Sequence, residues 1–453
     1  MRAKETFFVV LAALAARLGW LAWAARSFPP AADGVYYDTL ARRLADGHGY
    51  TWTWPDGAVT YAAHYPVGYP AMLALAYAAV GASPLVAGVV NACLGALATG
   101  AAHRVLLAAT GRHAAYVGAV VVAVHPALVP YTSALMTEGV TAGLLVLAAA
   151  AAGRARMVPA PFRWRAWGWV AASGVILGVA TLVRPQSLVL APVLGALAFP
   201  AGVGARLRLA SAAVVLATTV AVCLPWTARN CVRMNRCALV SVNGGWNLLI
   251  GAQTTTGAWA EVDVPTECRT VWDEAGKDAC FEGAGRRAIA AAPLAWLARV
   301  PRKLEVTFDY FGAAPYYLHA SAPAVFRDVD KLALGAFETV FSRCVLLGAL
   351  YAVARIRGPR ARARALLALL AAAFAFVPHA WPAYVALPIV VALLGWRRIL
   401  ALPLVVPWTA AVLVATAAAH AAFFGAGRYG LVVVPLLTLL AFVRTSAPRE
   451  AQP

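Results

Sequence analysis

In a chain of 453 residues, 62% hydrophobic side chains against 13% charged ones leave more apolar surface than a water-soluble core can hide, so lipid must be part of the solvent. Charge-free stretches such as 114–131, 211–226 and 401–424 match the hydrocarbon thickness as helices, which excludes a barrel as the expected architecture. A net charge of +19 would suggest nucleic acid in a soluble protein, but these basic clusters flank apolar spans, as orienting helices in a membrane requires, and no nucleic-acid partner is expected.

The first apolar span, 7–25, follows Arg2 and Lys4, which places the start in the cytoplasm and brings the chain out on the far side. Ala22-Trp23-Ala24 resembles a small-residue cleavage site, so a cleaved signal peptide is the alternative; the length of the span favours retention. Basic clusters then mark the cytoplasm at Arg104 with Arg112, at 154–165, at Arg206 with Arg208, at 355–364, at Arg397 with Arg398 and at Arg444 with Arg449. The outer segments between them are 27–82, 129–138, Arg184 with Pro185, 227–331, 378–382 and 425–428. Parity closes when 66–109 crosses once, with 66–81 partly embedded from outside and 84–102 as the crossing helix. The expectation is an all-α polytopic membrane protein of about twelve spans with a cytoplasmic C-terminus. It divides into a transmembrane module (1–226, with the first outer loop at 27–82), an extracytoplasmic loop or small cap (227–331) and C-terminal transmembrane helices (332–453).

Of nineteen carboxylates, four (Asp33, Asp38, Asp46, Asp56) lie in the first outer loop and eleven between Glu261 and Asp330. Between Asp56 and Glu261 the one acidic residue is Glu138, at the outer mouth of a helix. A carboxylate beside hydrocarbon is costly and therefore a functional candidate; as a structural element it would cap a helix start or pair with a base such as Arg184. Residues 35–45 suit an amphipathic helix on the membrane surface, with Tyr36, Leu40 and Leu44 on one face and Asp38 and Arg42 paired at i,i+4 on another. Asp33 just before it is either an N-cap or a catalytic group. Gly47, Gly49, Pro55 and Gly57 mark turns, and Tyr50, Trp52, Trp54, Tyr61, Tyr65 and Tyr69 form an aromatic stretch that either anchors in the interface or stacks on sugars.

The ordered set of Asp33, Tyr37, Leu40 to Leu44, Gly47-His48-Gly49-Tyr50 and HYPVGYP at 64–70 resembles the polyprenyl-phosphate-sugar glycosyltransferases of the GT-C fold, the relatives being protein O-mannosyltransferases and lipid A aminoarabinose transferases. HPALVPYTSALMTEG (125–139), LVRPQ (182–186), PWTARN (225–230), NGGWNLLIGAQTTTG (243–257) and GRYGLVVVP (427–435) continue it through most of the chain. The resemblance implies a transferase module of seven N-terminal spans, with Asp33 as catalytic base and Glu138 in the second acidic position. It also implies substrate contacts from the matched Tyr37, His64, Tyr69 and Tyr429. Two departures stand out: Pro66-Val67 replaces the usual double proline, and Gly34 follows Asp33 where some members carry a second acid.

Transfer from a lipid-linked sugar phosphate needs an aimed acceptor hydroxyl, a base for its proton and positive charge for the departing phosphate. Arg184, Arg229, Lys303 and Arg428 are candidate phosphate partners at the outer boundary, interface anchoring being their structural role. The implied partners are a polyprenyl-phosphate sugar, an acceptor hydroxyl on protein, lipid or glycan, and membrane lipid, in a bacterial inner (plasma) membrane with the site outside. No cofactor is required, and a divalent metal has no support: His64, His125, His319, His379 and His420 show no ligand spacing and read as structural. Cys268 and Cys280 are expected to form a disulfide, with Cys231 and Cys237 a second pair, while Cys93, Cys223 and Cys344 read as packing residues in apolar spans. The rival readings are a transporter or flippase of lipid-linked glycans and a non-catalytic protein of the same fold. Apart from Arg17, few ionisable groups lie away from the span ends, which favours surface chemistry.

Overall fold

The computed structural model describes residues 2–159, 164–310 and 312–444. Helix α1 (Arg2–Ser27) leads to a short helix α2 (Asp33–Ala45), an antiparallel hairpin of β1 (Thr51–Thr53) and β2 (Val59–Tyr61) with Trp52 opposite Thr60, and helix α3 (Gly68–Val80). Helices α4 (Pro84–Leu107), α5 (Arg112–Ala123), α6 (Thr137–Met157), α7 (Trp164–Val183), α8 (Ala191–Leu197) and α9 (Ala205–Arg233) follow. A cap of α10 (Gly244–Gln253), α11 (Glu274–Ala291), α12 (Pro293–Ala298), α13 (Val300–Phe308) and α14 (Ala313–Ser321) comes next. The chain continues as α15 (Asp328–Ala354), α16 (Ala361–Phe374), α17 (Trp381–Ala392), α18 (Trp396–Ala401), α19 (Val405–Ala422), α20 (Gly427–Gly430) and α21 (Val434–Ala441).

This is an integral membrane protein: among the described residues, α1, α4, α6, α7, α9, α15 and α19 are long and apolar enough to cross a bilayer. Apolar segments at Gly68–Val80, Arg112–Ala123, Pro185–Leu197, Trp381–Ala392 and Gly427–Ala441 are shorter than a straight crossing helix needs. Where the sequence reading takes 66–109 as one crossing, α3 stops at Gly81, whose φ of +87° suits glycine, and α4 starts afresh. Ser83 caps it, its hydroxyl accepting the Val86 N–H at 3.2 Å, with Pro84 in the first turn. Close helix approach comes from small residues. Gly174 and Gly178 of α7 face α9, and a Cβ on Gly178 would lie 2.5 Å from Val222 Cβ.

Polar contacts sort into two ends of the bundle. At one end Arg112 pairs with Glu5, Thr6 bonds His103, and Arg156 donates to the carbonyls of Leu197, Leu400 and Leu402. Arg398 reaches Arg357 O and Arg364 reaches Ile356 O there. These are the basic clusters assigned to the cytoplasm; Arg449 and residues 160–163 of the stretch 154–165 lie outside the described residues. At the other end the first loop, the cap, Arg184 and Arg428 meet. Arg17, inside α1 and 3% exposed, donates to Ala13 O at 3.1 Å and to Ala123 O at the C-terminal end of α5 at 3.0 Å. Its charge is held by carbonyls and the negative end of a helix.

The Cys268–Cys280 disulfide ties the cap, Cys231–Cys237 joins the last turn of α9 to the segment that follows it, and Asp273 caps α11 by accepting the Gly276 N–H. Cys223 is buried, but Cys93 and Cys344 are exposed on the bundle surface, so they are not the packing residues the sequence suggests; apolar positions facing lipid and core look alike in sequence.

Candidate active site

Asp33 opens α2, and its carboxylate makes no capping bond. Ala32 occupies the N-cap position at φ 50°, a left-handed conformation costly for a residue with a Cβ. That turn leaves the Asp33 side chain free for tertiary partners, which corrects the N-cap reading. The helix also buries a wider face than expected. Asp38, placed by periodicity on a polar face, is 8% exposed because α2 packs on α3, where Asp38 accepts the Tyr77 hydroxyl at 2.6 Å and Arg42 Nε at 2.7 Å. The α2–α3 connection is held at Gly68, where a Cβ would fall 2.5 Å from the Leu182 carbonyl carbon, so the HYPVGYP and LVRPQ segments pack backbone to backbone.

Four charges converge at this end. Arg428 Nη1 stands 2.8 Å from Asp33 Oδ2, and its Nε is 3.6 Å from Glu138 Oε1. The same Glu138 oxygen is 2.7 Å from Arg184 Nη1, and the other accepts the Tyr131 hydroxyl at 2.7 Å. Glu138 sits in the first turn of α6, where the helix dipole favours a carboxylate, and its side chain is only 2% exposed. The structural and functional readings of Glu138 therefore coincide in one geometry: it pairs with Arg184 and also belongs to the group that contains Asp33. Tyr429 lies beneath both guanidinium groups, 5.0 Å from Arg184 and 5.1 Å from Arg428, and stacks at 4.1 Å on His420. Tyr65, not singled out beyond the aromatic stretch, donates its hydroxyl to Asp33 Oδ1 at 3.3 Å.

All of these groups but Tyr131 line a cavity of about 2000 Å³. One arm is apolar, walled by Val193, Leu197, Val391, Ile399, Ala411 and Val414 from α8, α17 to α19 and the α18 turn. A second arm runs under the hairpin and the cap and is rich in rings and carboxylates. Tyr37 and His64 line the cavity. Burial raises the Tyr37 phenol well above its ordinary value, with the Asp33 and Glu138 charges adding to it, so it stays a neutral donor. Burial pushes the His64 imidazole down to about 4, the Asp33 charge opposing, so it is neutral near pH 7 and is not a proton donor in its charged form.

Three of the named binding residues do not reach the cavity. Tyr69 is fully buried and accepts from Asn91 Nδ2 at 3.1 Å, inside the helix packing. Arg229 donates to Tyr50 O at 2.7 Å and Ala62 O at 2.9 Å and stacks on Trp226, clamping the hairpin to α9. Lys303, 0% exposed, donates to Ala421 O and Ala422 O at the end of α19. In each case a backbone carbonyl or a neighbouring side chain already takes the polar group, and sequence carries no mark of that. The segment from Asn243 lines the cavity through Asn243, Gly244, Trp246 and Asn247; it begins α10, and its Gly245 and Trp246 N–H groups donate to Asp278 Oδ1 at 2.7 and 3.1 Å. Among the described residues one group could offer three ligand atoms to a cation, Glu305, Asp309 and His379. None of the three lines the cavity, and His379 Nδ1 lies 3.3 Å from Asp309 Oδ2.

Fold and site define a polytopic α-helical membrane protein with a paired-charge cavity at one end of its bundle. No family model and no curated protein matches the sequence. Among solved structures, the chain is similar to the oligosaccharyltransferase AglB of Archaeoglobus fulgidus in complex with an inhibitory peptide and a dolichol-phosphate, at 14% identity and a TM-score of 0.48, covering 97% of this chain and 50% of that one. The same enzyme tethered to an acceptor peptide gives 14% identity and 0.49, over 98% and 49%. ArnT of Cupriavidus metallidurans bound to undecaprenyl phosphate gives 16% and 0.40, over 97% and 78%. The chain spans about half the length of the AglB structures.

Proposed function

We propose that this chain is a membrane glycosyltransferase of the GT-C type, moving a sugar from a polyprenyl-phosphate donor to an acceptor hydroxyl at the outer face of a bacterial inner membrane. The observation that carries the reading is the junction of Asp33, Arg428, Glu138 and Arg184 at the foot of an apolar groove. The groove takes the isoprenoid chain, which water would reject, and the two guanidinium groups receive the phosphate at its end. Asp33 stands at the mouth with a carboxylate side chain 31% exposed, open to an acceptor.

The acceptor oxygen attacks the anomeric carbon on the face opposite the phosphate, and Asp33 takes its proton. The bond between the anomeric carbon and the phosphate oxygen breaks, its electron pair leaving on the lipid phosphate, and configuration inverts. Arg428 bridges base and leaving group: as phosphate charge grows and Asp33 becomes neutral, its guanidinium shifts from one anion to the other without the site changing net charge. Tyr65 holds Asp33 in place from the opposite oxygen. Glu138 keeps Arg184 and Arg428 oriented.

Purified protein given polyprenyl-phosphate sugars tests this. Asp33→Asn is expected to slow transfer by about 10²- to 10⁴-fold while keeping lipid-phosphate binding. Undiminished transfer by the variant would remove Asp33 as base. A wild type that transfers from no donor yet carries lipid-linked sugar across vesicles would replace the reading with a flippase.

A further inference from the structure

The second arm of the cavity is assembled from segments far apart in the chain: Tyr36 of α2, Trp52 of the hairpin, Trp246 of α10, and Trp272, Glu274 and Asp278 at and in α11. The rings form a path outward from the Asp33 carboxylate. Tyr65, bonded to Asp33, stacks on Tyr36 at 4.9 Å, and Tyr36 lies 5.0 Å from Trp52. On the other side His64 stands edge-on to Tyr65 at 5.0 Å and to Trp246 at 5.9 Å. Trp272, 83% exposed, lines the cavity beyond these rings, with Lys277 Nζ 5.6 Å from its ring centroid.

The two carboxylates share an unusual mounting. Glu274 Oε2 accepts the consecutive backbone N–H groups of Ala63 and His64 at 2.6 and 2.8 Å. Asp278 Oδ1 accepts those of Gly245 and Trp246 at 2.7 and 3.1 Å. Each acid is thus fixed through one oxygen, and its second oxygen takes no hydrogen bond or ion pair from the described residues while the residue lines the cavity. Burial raises both above the ordinary carboxylate range, the backbone bonds opposing.

We infer that this arm is the acceptor subsite and that it takes a sugar, so that the enzyme extends a glycan and does not modify a peptide; the inference rests on the transferase reading above. A sugar ring presents a flat C–H face, whose slightly positive hydrogens suit the negative face of an indole or phenol, and a rim of hydroxyls that donate to fixed carboxylate oxygens. The arm supplies both surfaces side by side. A peptide is recognised through a sheet edge with main-chain bonds or through apolar pockets for its side chains, and the aliphatic wall of this cavity lies in the other arm. The acceptor sugar sits with one hydroxyl toward Asp33, and further sugar units extend over Trp272 to water.

The test uses purified full-length protein in nanodiscs and two separate probes. Undecaprenyl phosphate reports the donor site. A panel of methyl pyranosides, methyl furanosides and trisaccharides, beside Ser- and Thr-containing hexapeptides, reports the acceptor arm by saturation-transfer NMR. Saccharides are expected to bind and peptides not to. Trp272→Ala, at an exposed position, and Asp278→Asn, which keeps the Oδ1 acceptor, should each weaken saccharide binding by about 10-fold. Both should leave undecaprenyl phosphate affinity unchanged, and in transfer they should raise the acceptor KM with kcat nearly kept. Undecaprenyl phosphate binding without saccharide binding, saccharide binding that both variants leave intact, or peptide binding in the arm would overturn the inference and leave the transferase reading standing. Failure to bind undecaprenyl phosphate would overturn both.

Discussion

Arg184 and Arg428 on the one hand, and Arg229 and Lys303 on the other, look equivalent as residues: four cations beside apolar spans. Their partners separate them. The first two face carboxylates across a cavity, and the second two cap backbone carbonyls. A cation paired with a carboxylate can exchange that anion for a phosphate at little electrostatic cost, because one negative charge replaces another. A cation that caps carbonyls has no anion to exchange, and moving it would strip hydrogen bonds from backbone acceptors. Charge at a site therefore teaches little until its counterpart is known.

The sharpest way to break this distinction is to remove one cation of each kind. Arg428→Ala is expected to lower kcat by about 10²- to 10³-fold, the scale for losing one preorganised charge-stabilising donor, and to weaken undecaprenyl phosphate binding with it. Arg229→Ala should lower Tm through the loss of its bonds to Tyr50 O and Ala62 O, and the folded fraction should keep its kcat within about threefold. Equal kinetic losses in the two variants would mean that both cations meet the phosphate.

A second cut goes through the pair itself. Glu138→Gln leaves Arg184 in a site where the carboxylate is 2% exposed, and breaking a buried ion pair from one side costs about 3 kcal/mol or more. Arg184→Met alone should cost a similar amount, and the double variant less than the sum, so thermal unfolding of the four proteins gives a negative coupling term when destabilisation is counted positive. Additive losses would show that Tyr131 and Arg428, not Arg184, hold Glu138.

The same distinction explains which parts of the structure could be read from the chain. Apolar runs announced membrane helices because hydrocarbon tolerates little else at that length, but not their number: about twelve spans were expected, seven described helices are long enough to cross, and the charge-free run 114–131 holds only the 12-residue α5. Glu138 stood out because carboxylates are scarce among those runs, whereas Asp33, one of four aspartates in its loop, was picked out by the resemblance. The apolar arm was invisible: Val391, Val414 and their neighbours have the composition of lipid-facing residues, since a groove for an isoprenoid and a surface for a lipid tail ask for the same side chains. Asp38 and Asp33 differ by five positions and not by chemistry, and only the approach of Tyr77 on α3 takes one of them out of play. Lys303 could not be told from Arg428 because its partners are carbonyls, which every residue has. Trp246 and Asp278 meet only when the cap folds, so their subsite has no local motif.

The smallest effect concerns Lys303 and tests the carbonyl-capped kind of cation directly. Burial pushes its ammonium down to about 8, with the Arg299 charge adding to it. In the unfolded chain the same group holds its proton to about pH 10.4. Between these values the unfolded state binds more protons than the folded one, so stability rises with pH across that window; below pH 8 both states hold the proton and the cost of burying the charge is fully present. The neutral amine still has two N–H groups, one each for Ala421 O and Ala422 O, so losing the proton does not undo the cap. Wild type should therefore gain stability from pH 8 to 10 relative to Lys303→Met, by an amount on the order of 1 kcal/mol. Parallel pH traces for the two proteins would put the ammonium in water, and Lys303 would then belong with the exchangeable cations of the cavity.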